Sequence, residues 1–536
     1  MGTLVRRRRW RLGVVTAAVV LAAAAAPFAS ASRVPSLSRY IVMAPAGTDV
    51  HVLLNAALVK APGGRSVADL TIINGLVADL SPAEVALLPA STVTPDVQVL
   101  PQGWAAKGGP KPPPQQLVNV FRQVTGATAV SANTGQGVGV AVVDTGIAAL
   151  PDFGTRLKPG VDLSGEASPD PTRDGYGHGT FVAGLIAGSL DANTSYGGEA
   201  PGANLYPVKV AGADGVTSVS KVLLGLQWIF LHPTGINVVN MSLGALPVSP
   251  TLLNPLDQAV EVLWRQSGLV VVTSAGNEGP TDGGITSPGD DPLVITAGAV
   301  ADNHTVTPTD DTVPDFSSRG PTGYDGWWKP DLLAPGKSLV SVMPQGSTIR
   351  TTYPTGAVGT TNFVGSGTSF AAAVTSGAAA LLIHAKPGTM PDQVKAALLT
   401  TTSVGPGTSH SPFVQGHGVL NVSRAIAEPT VTMTQTVRST VPQLGAFFYL
   451  IDTQGVSSWA TVDPTEYSLY PGQAPFPYPY AGPNTTTSIF LSAEWNSSEW
   501  NDSSFTGKAW NGKAWNGKAW NSQAWNGKAW NGAQWQ

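Results

Sequence analysis

The sequence predicts an α/β protein built on a parallel sheet with helices on both faces, preceded by a small α+β unit. From about Gln116 to Ala427, short apolar runs rich in β-branched residues alternate with segments of helical spacing. Those runs are almost continuously apolar, the pattern of strands buried on both faces of a sheet. Hydrophobic residues make up 42% of the 536-residue chain and charged residues 12%, a globular composition with enough length for one large core plus accessory segments.

The composition also excludes classes of function. There is no cysteine, so disulfides, thiolate metal sites and cysteine nucleophiles are ruled out. A net charge of -4 gives no footing for a nucleic-acid partner.

Residues 1–31 read as an export signal. Arg6 to Arg9 and Arg11 form a basic start, Leu12 to Ala26 is almost wholly apolar, and Ala29-Ser30-Ala31 supplies small residues for cleavage. The apolar run, about 15 residues, is short of the roughly 20 that cross a bilayer, so a stable membrane anchor is not expected. Ser32 becomes the first residue after processing, and the protein is expected to be secreted. The arginine cluster points weakly toward the twin-arginine export route.

Residues 32–102 alternate like a small α+β unit. Tyr40-Ile41-Val42 begins it, and Leu70 to Ile73 reads as a strand. Ser81 with Glu84 fits a capping box, Pro82 suits a first helical position, and the helix should run through Leu88. Val97 to Leu100 reads as its closing strand. Residues 103–115, rich in Gly, Pro and Lys, read as an exposed linker.

Within residues 116–427, Val138 to Val143, Leu205 to Val210, Val238 to Ser242 and Leu269 to Ser274 read as buried strands. Val219 to Leu231 and Pro255 to Gln266 carry helical spacing. Residues 428–491 are looser, a linker or small accessory segment. From Trp495 onward an aromatic residue recurs every five positions to Trp535, in a unit close to Lys-Ala-Trp-Asn-Gly. This tail, residues 492–536, holds eight of the chain's 15 tryptophans. A period of five suits neither helix nor strand, while repeated Asn-Gly marks turns. Such regularly spaced aromatics with interleaved lysines suit binding to a cell wall or carbohydrate, and a tail with no specific ligand is the other reading.

Amide hydrolysis needs a nucleophile, a base, an orienter for the base and donors for the oxyanion. Asp144 ends an apolar strand, at the edge where open α/β sheets place their sites. His178 lies between glycines, just before the small-residue helix Val182 to Gly188. Ser369 opens the helix that continues through Leu382, where the helix dipole favours developing negative charge. Asn277 ends another buried strand and carries an amide donor. Taken singly, each of these is as readily a helix cap, a structural histidine or a turn residue.

Together, their local sequences resemble the subtilisin family of serine peptidases. The resemblance is carried by Val143-Asp144-Thr145-Gly146-Ile147, Gly177-His178-Gly179-Thr180, Asn240 to Gly244, Ala275-Gly276-Asn277 and Gly367-Thr368-Ser369-Phe370-Ala371. Phe316 to Pro321, Lys329-Pro330-Asp331 and Ala334-Pro335-Gly336 add to it, over roughly residues 115 to 427. It implies a subtilisin-like three-layer fold with a mostly parallel central sheet. It also implies an endopeptidase that passes through an acyl-enzyme and needs no cofactor for catalysis.

In that scheme Ser369 attacks, His178 carries the proton, Asp144 orients the imidazole and Asn277 holds the oxyanion. Ser242, Leu243, Gly244, Ala275 and Gly276 would line the substrate, which adds as a strand. Residues 32–102 would be a propeptide acting as intramolecular inhibitor and folding aid, making the precursor a zymogen. Asp152 and Asn193 fall where relatives place a structural calcium, although a polar turn has the same composition.

The chain departs from the family pattern at two points. Phe181 stands where many members carry histidine, and Gly336 to Gly365 looks like an insertion. Gly135-Gln136-Gly137-Val138-Gly139 precedes its strand, unlike a dinucleotide loop. Gly367 to Ala371 lacks the last glycine of an α/β-hydrolase elbow. His178 in its Gly-His-Gly-Thr setting disfavours the acidic sedolisin type. Small neutral residues at Gly283 to Thr286 suggest broad cleavage after apolar residues. The competing reading is a catalytically silent relative that only binds protein.

Overall fold

The computed structural model describes residues 36–45, 47–101, 118–190, 196–407 and 411–429, and the strands at 435–439, 447–451 and 457–461. The predicted signal, the linker, Asn193 and the tryptophan-rich tail lie outside the described residues.

The first unit contains β1 (Ser38–Met43), α1 (Val50–Lys60), β2 (Arg65–Leu70), β3 (Gly75–Leu80), α2 (Pro82–Val85) and β4 (Val93–Pro95). Its four strands form one sheet in the order β2-β3-β1-β4, and α1 packs Val50, Leu54 and Ala57 against Val42, Leu76, Ala78 and Leu80. The capping box is present, with Ser81 and Glu84 bonded to each other's backbone N–H groups. The helix is one turn, shorter than the sequence suggests. Leu70 to Ile73 is not a strand: Leu70 ends β2, and Thr71 to Ile73 form a 3-10 turn closed by Asn74 in a left-handed conformation. The polar, largely exposed β2 carries too little apolar signal to be read as a strand.

β5 (Gln98–Pro101) also departs from expectation. It does not close the small sheet. Instead it lies between β9 (Thr217–Ser218) and β11 (Leu243–Gly244) of the following domain, antiparallel to both. Its Val99 is fully buried there.

The large domain starts with α3 (Phe121–Val124). Its sheet has the order β14-β13-β12-β10-β6-β8-β7, with every neighbouring pair parallel. These strands are β6 (Gly139–Asp144), β7 (Val161–Asp162), β8 (Asn204–Lys209), β10 (Val238–Met241), β12 (Val270–Ser274), β13 (Ile295–Val300) and β14 (Leu332–Pro335). β6 is buried at all its positions, as the run of β-branched residues predicts. Each Val sequestered this way contributes about 1.5–3 kcal/mol relative to exposure.

α4 (His178–Ala187), α5 (Val219–Leu231) and α6 (Pro255–Arg265) cross between the strands. α6 begins with an Asn254 cap and Pro255 at its first position, and it buries Leu256, Val260, Leu263 and Trp264. Residues 336–365 form a separate antiparallel sheet, β15 (Leu339–Val342), β16 (Ala357–Val358) and β17 (Asn362–Gly365), with α7 (Thr348–Thr352) between. α8 (Thr368–Ala385) then runs through the core. It is the one helix among the described residues long and apolar enough to cross a membrane, but its residues through Leu382 are buried within the protein.

Candidate active site

The C-terminal ends of β6, β10 and β12 and the first turns of α4 and α8 meet at one place. β6 delivers Asp144 as its last residue. His178 is the first residue of α4, so the helix begins four residues earlier than its apolar run suggests. The reason lies in the turn before it. Gly177 takes a left-handed conformation (φ 104°), open to glycine without penalty. Asp174 bonds the helix start: one oxygen accepts from the Gly177 N–H (2.7 Å), the other from the Thr180 N–H (2.8 Å) and hydroxyl (2.7 Å). Thr145, the neighbour of Asp144, donates to Asp174 (2.8 Å) and accepts from the Gly179 N–H (2.9 Å). Burial raises the Asp174 carboxyl above its ordinary range, opposed by these donors. β6 and α4 are therefore locked together through Asp174 and Thr145. Sequence reasoning missed both roles; the signal was an Asp three residues before the helix-starting glycine.

His178 Nδ1 lies 2.8 Å and 2.9 Å from the two carboxylate oxygens of Asp144, and Asp144 Oδ1 also accepts the Thr145 N–H at 2.8 Å. His178 Nε2 is buried and has no hydrogen-bond partner among the described residues. Ser369, second residue of α8, donates its hydroxyl to the Ser242 carbonyl (2.8 Å), while the Ser242 hydroxyl donates back to the Ser369 carbonyl (2.8 Å). Asn240 fixes this pair, donating to Ser242 Oγ (2.9 Å) and accepting from Ser376 (2.9 Å). Thus Asp144 and His178 are bonded, and the serine hydroxyl is held on β10's side of the cleft.

Asn277 accepts the Thr368 N–H and hydroxyl through Oδ1, both at 3.0 Å. That fixes the amide's rotation and turns its N–H edge away from Thr368, a role for Thr368 that the sequence did not reveal. Leu243 and Gly244 pair with Pro101 and Leu100 of β5. Ala275 and Gly276 lie on the other side of Thr286. A Cβ on Gly244 would fall 2.4 Å from Thr286 Oγ1, and one on Gly276 2.9 Å from its Cγ2. Small residues are required on both walls.

Phe181 packs on Phe370 with ring centroids 4.5 Å apart, below His178. Residues 336–365 brace the turn before His178. Thr348 and Ile349 donate backbone N–H groups to Gly175 and Tyr176 (2.9 and 3.1 Å), and Ser341 bonds the Phe181 carbonyl (2.8 Å).

Of the two residues proposed for calcium, only Asp152 is described. Asn193 is outside the described residues. The Asp152 carbonyl accepts from the Arg156 guanidinium and the Ser189 hydroxyl, contacts that do not involve the carboxylate expected to bind calcium. Among the described residues, no three His, Asp or Glu side chains group as metal ligands.

The sequence profile described as the Subtilase family matches residues 135–418, more than half of the chain. The chain belongs to the subtilase family. It is similar to serine protease AprX of Bacillus subtilis, 39% identical over 301 residues, covering 55% of this chain and 67% of that relative. Subtilisin Savinase of Lederbergia lenta is 36% identical over 293 residues, 54% of this chain and 91% of the relative. Among solved structures, fervidolysin of Fervidobacterium pennivorans superposes with a TM-score of 0.59 at 22% identity. That match covers 80% of this chain and 67% of that one, and it shows the fold. The subtilase assignment makes this chain a serine peptidase with a subtilisin-like α/β fold.

Proposed function

We propose that this subtilase is a secreted serine endopeptidase using Asp144, His178 and Ser369 as its triad, with Asn277 as an oxyanion donor. The observation that carries the reading is the bonded Asp144–His178 pair, with Phe370, the residue after Ser369, 5.9 Å from the His178 ring, next to a groove already holding an extended strand.

The chemistry follows from these positions. The Ser369 hydroxyl turns from the Ser242 carbonyl to His178 Nε2, the unpartnered base. As Oγ bonds the scissile carbonyl carbon, its proton passes to Nε2, and Asp144 stabilises the resulting imidazolium through Nδ1–H. The carbonyl oxygen becomes an oxyanion, accepted by the Asn277 amide and the Ser369 N–H at the positive end of α8. Collapse breaks the C–N bond, and His178 returns the proton to the departing amine. Water then repeats the sequence on the acyl-enzyme. These residues carry every proton transfer, with no cofactor. Calcium at the Asp152 and Asn193 loop would serve structure alone.

Residues 32–102 act as the inhibitory propeptide. β5 takes the place of a substrate strand between β9 and β11, so substrate binds through main-chain hydrogen bonds to Leu243 and Gly244. Thr286 between two glycines gives a small neutral wall, in keeping with broad cleavage after apolar residues. The tail, residues 492–536, is proposed to hold the enzyme on cell-wall carbohydrate. Wall binding that survives replacement of its tryptophans by alanine contradicts that.

A fluorophosphonate probe tests the central reading. It should label one tryptic peptide, the one containing Ser369, and labelling should vanish in Ser369→Ala. Labelling of another serine contradicts the assignment.

A further inference from the structure

An exposed loop, residues 303–310, hangs from a two-residue neck after β13. At the neck Ala301 and Thr312 exchange both backbone hydrogen bonds (2.8 and 3.2 Å) in antiparallel register. Asp302 follows and Asp311 precedes this bridged pair, so the two carboxylates sit at the neck, and the charge of Asp302 bears on Asp311. Two like charges close together destabilise one another.

Both residues are nonetheless buried, Asp302 1% and Asp311 6% exposed. Asp302 Oδ1 accepts the His304 N–H at 3.0 Å, but its Oδ2 has no partner, and neither has Asp311 Oδ1. Among the charged groups bearing on Asp302 are His304 and Asp310, and Asp302 and Asp310 bear on Asp311. None of these is a lysine or arginine. Burial, with Asp302 and Asp310, pushes the Asp311 carboxyl up to about 6. Asp310 itself is exposed at the loop's edge, with one oxygen held by the Thr305 hydroxyl at 2.9 Å. Left-handed Asn303 and His304 turn the chain over the pair, and the Asn303 amide bonds the Asp310 carbonyl (2.5 Å).

We propose that Asp302 Oδ2 and Asp311 Oδ1 bind one hydrated divalent cation, calcium, that pins this loop to the end of β13. A hard cation supplies the opposite charge that the two buried carboxylate oxygens lack, and water fills the positions that two carboxylates leave open. The Asp310 carboxylate, next in sequence, adds charge at the outer edge. This site is separate from the Asp152 loop and does not depend on the catalytic reading.

The test uses the full-length chain carrying Ser369→Ala, so that autolysis does not intrude. Bound calcium is measured by equilibrium dialysis at about 5 mM, above the ~10⁻⁴–10⁻³ M range of extracellular calcium modules. Melting temperatures are taken in calcium and in chelator. Asp302→Asn and Asp311→Asn should each bind one calcium fewer per chain than the parent and show a smaller calcium-dependent rise in melting temperature. In chelator Asp311→Asn should melt no lower than the parent, since a like-charge pair is gone. Unchanged calcium stoichiometry in both variants, with an equal calcium response, overturns the proposal and leaves a pair sharing a proton. If one variant fails to fold, the other decides the question by the same count.

Discussion

Replacing Asp144 by asparagine tests how the triad works, and the geometry predicts the size of the loss. Asp144 Oδ1 accepts the Thr145 N–H at 2.8 Å, so an asparagine oxygen is held at that position and its NH₂ falls where Oδ2 was. Oδ2 lies 2.9 Å from His178 Nδ1. A donor at that distance favours the imidazole tautomer with Nδ1 unprotonated and the proton on Nε2. Nε2 then cannot accept the Ser369 proton. The charge loss adds to this. A carboxylate 2.8 Å from the imidazolium contributes about 6 kcal/mol at an effective dielectric near 20, which corresponds to roughly four orders of magnitude in rate. Hydrolysis of a chromogenic peptide by the processed enzyme should therefore show kcat/KM lower by about 10⁴, with KM little changed and the fold intact by melting. A value within about tenfold of the parent refutes the argument that His178 works through Asp144.

Two further predictions concern inhibition and stability. Asp96 accepts from the Ser220 N–H (2.8 Å) and hydroxyl (2.7 Å), capping the first turn of α5 from the small N-terminal unit. Asp96→Ala removes two charge-assisted bonds of about 1–2 kcal/mol each, so the isolated 32–102 segment should inhibit the mature enzyme at least about tenfold more weakly; an unchanged inhibition constant argues against this contact. Glu199 is fully buried beneath α8 and its carboxyl is pushed up from 4.5 to about 8 by burial, against the weaker opposing pull of Thr125 and Arg122. A raised carboxyl stabilises the fold below its unfolded pKa, and that contribution is lost as pH rises through about 8. Relative to Glu199→Gln, the parent should lose up to about 5 kcal/mol of unfolding free energy between pH 4.5 and 8, read on the Ser369→Ala background. Parallel pH profiles for the two proteins count against it.

The four central strands of the large sheet, β6, β8, β10 and β12, were legible because they are largely buried, while β7, β13 and β14 were not read. Val140 to Val143 and Val270 to Val272 leave no alternation to misread, and α5 starts and stops where its apolar spacing does. The small unit was harder. β2 is mostly exposed and carries Arg65, Ser66 and Asp69, so the apolar Leu70 to Ile73 drew the strand assignment one element too far along. α1 was not read at all; its buried side amounts to Val50, Leu54 and Ala57, a weak stripe. β5 reads as a strand in either setting, because its partners are chosen by tertiary contacts with β9 and β11 that no local pattern encodes. The candidate site residues stand out through their local motifs, and Asp144 and His178 are bonded to each other. The side-chain direction of Ser369 was not legible. It depends on whether the Ser242 carbonyl or His178 Nε2 takes the hydroxyl, two acceptors more than 60 residues apart in the chain. Asp174 and Thr368 act through backbone N–H groups, which leave no trace in side-chain composition.

The most direct test of the account is processing of the precursor itself. Residues 32–536 are produced as the parent and as Ser369→Ala, and each is followed by gel and by casein hydrolysis at neutral to alkaline pH. The account predicts that the parent releases the 32–102 segment and hydrolyses casein, while Ser369→Ala folds, stays full length and is inert. A Ser369→Ala protein that still matures and cleaves casein, free of any added protease, contradicts the claim that Ser369 is the nucleophile.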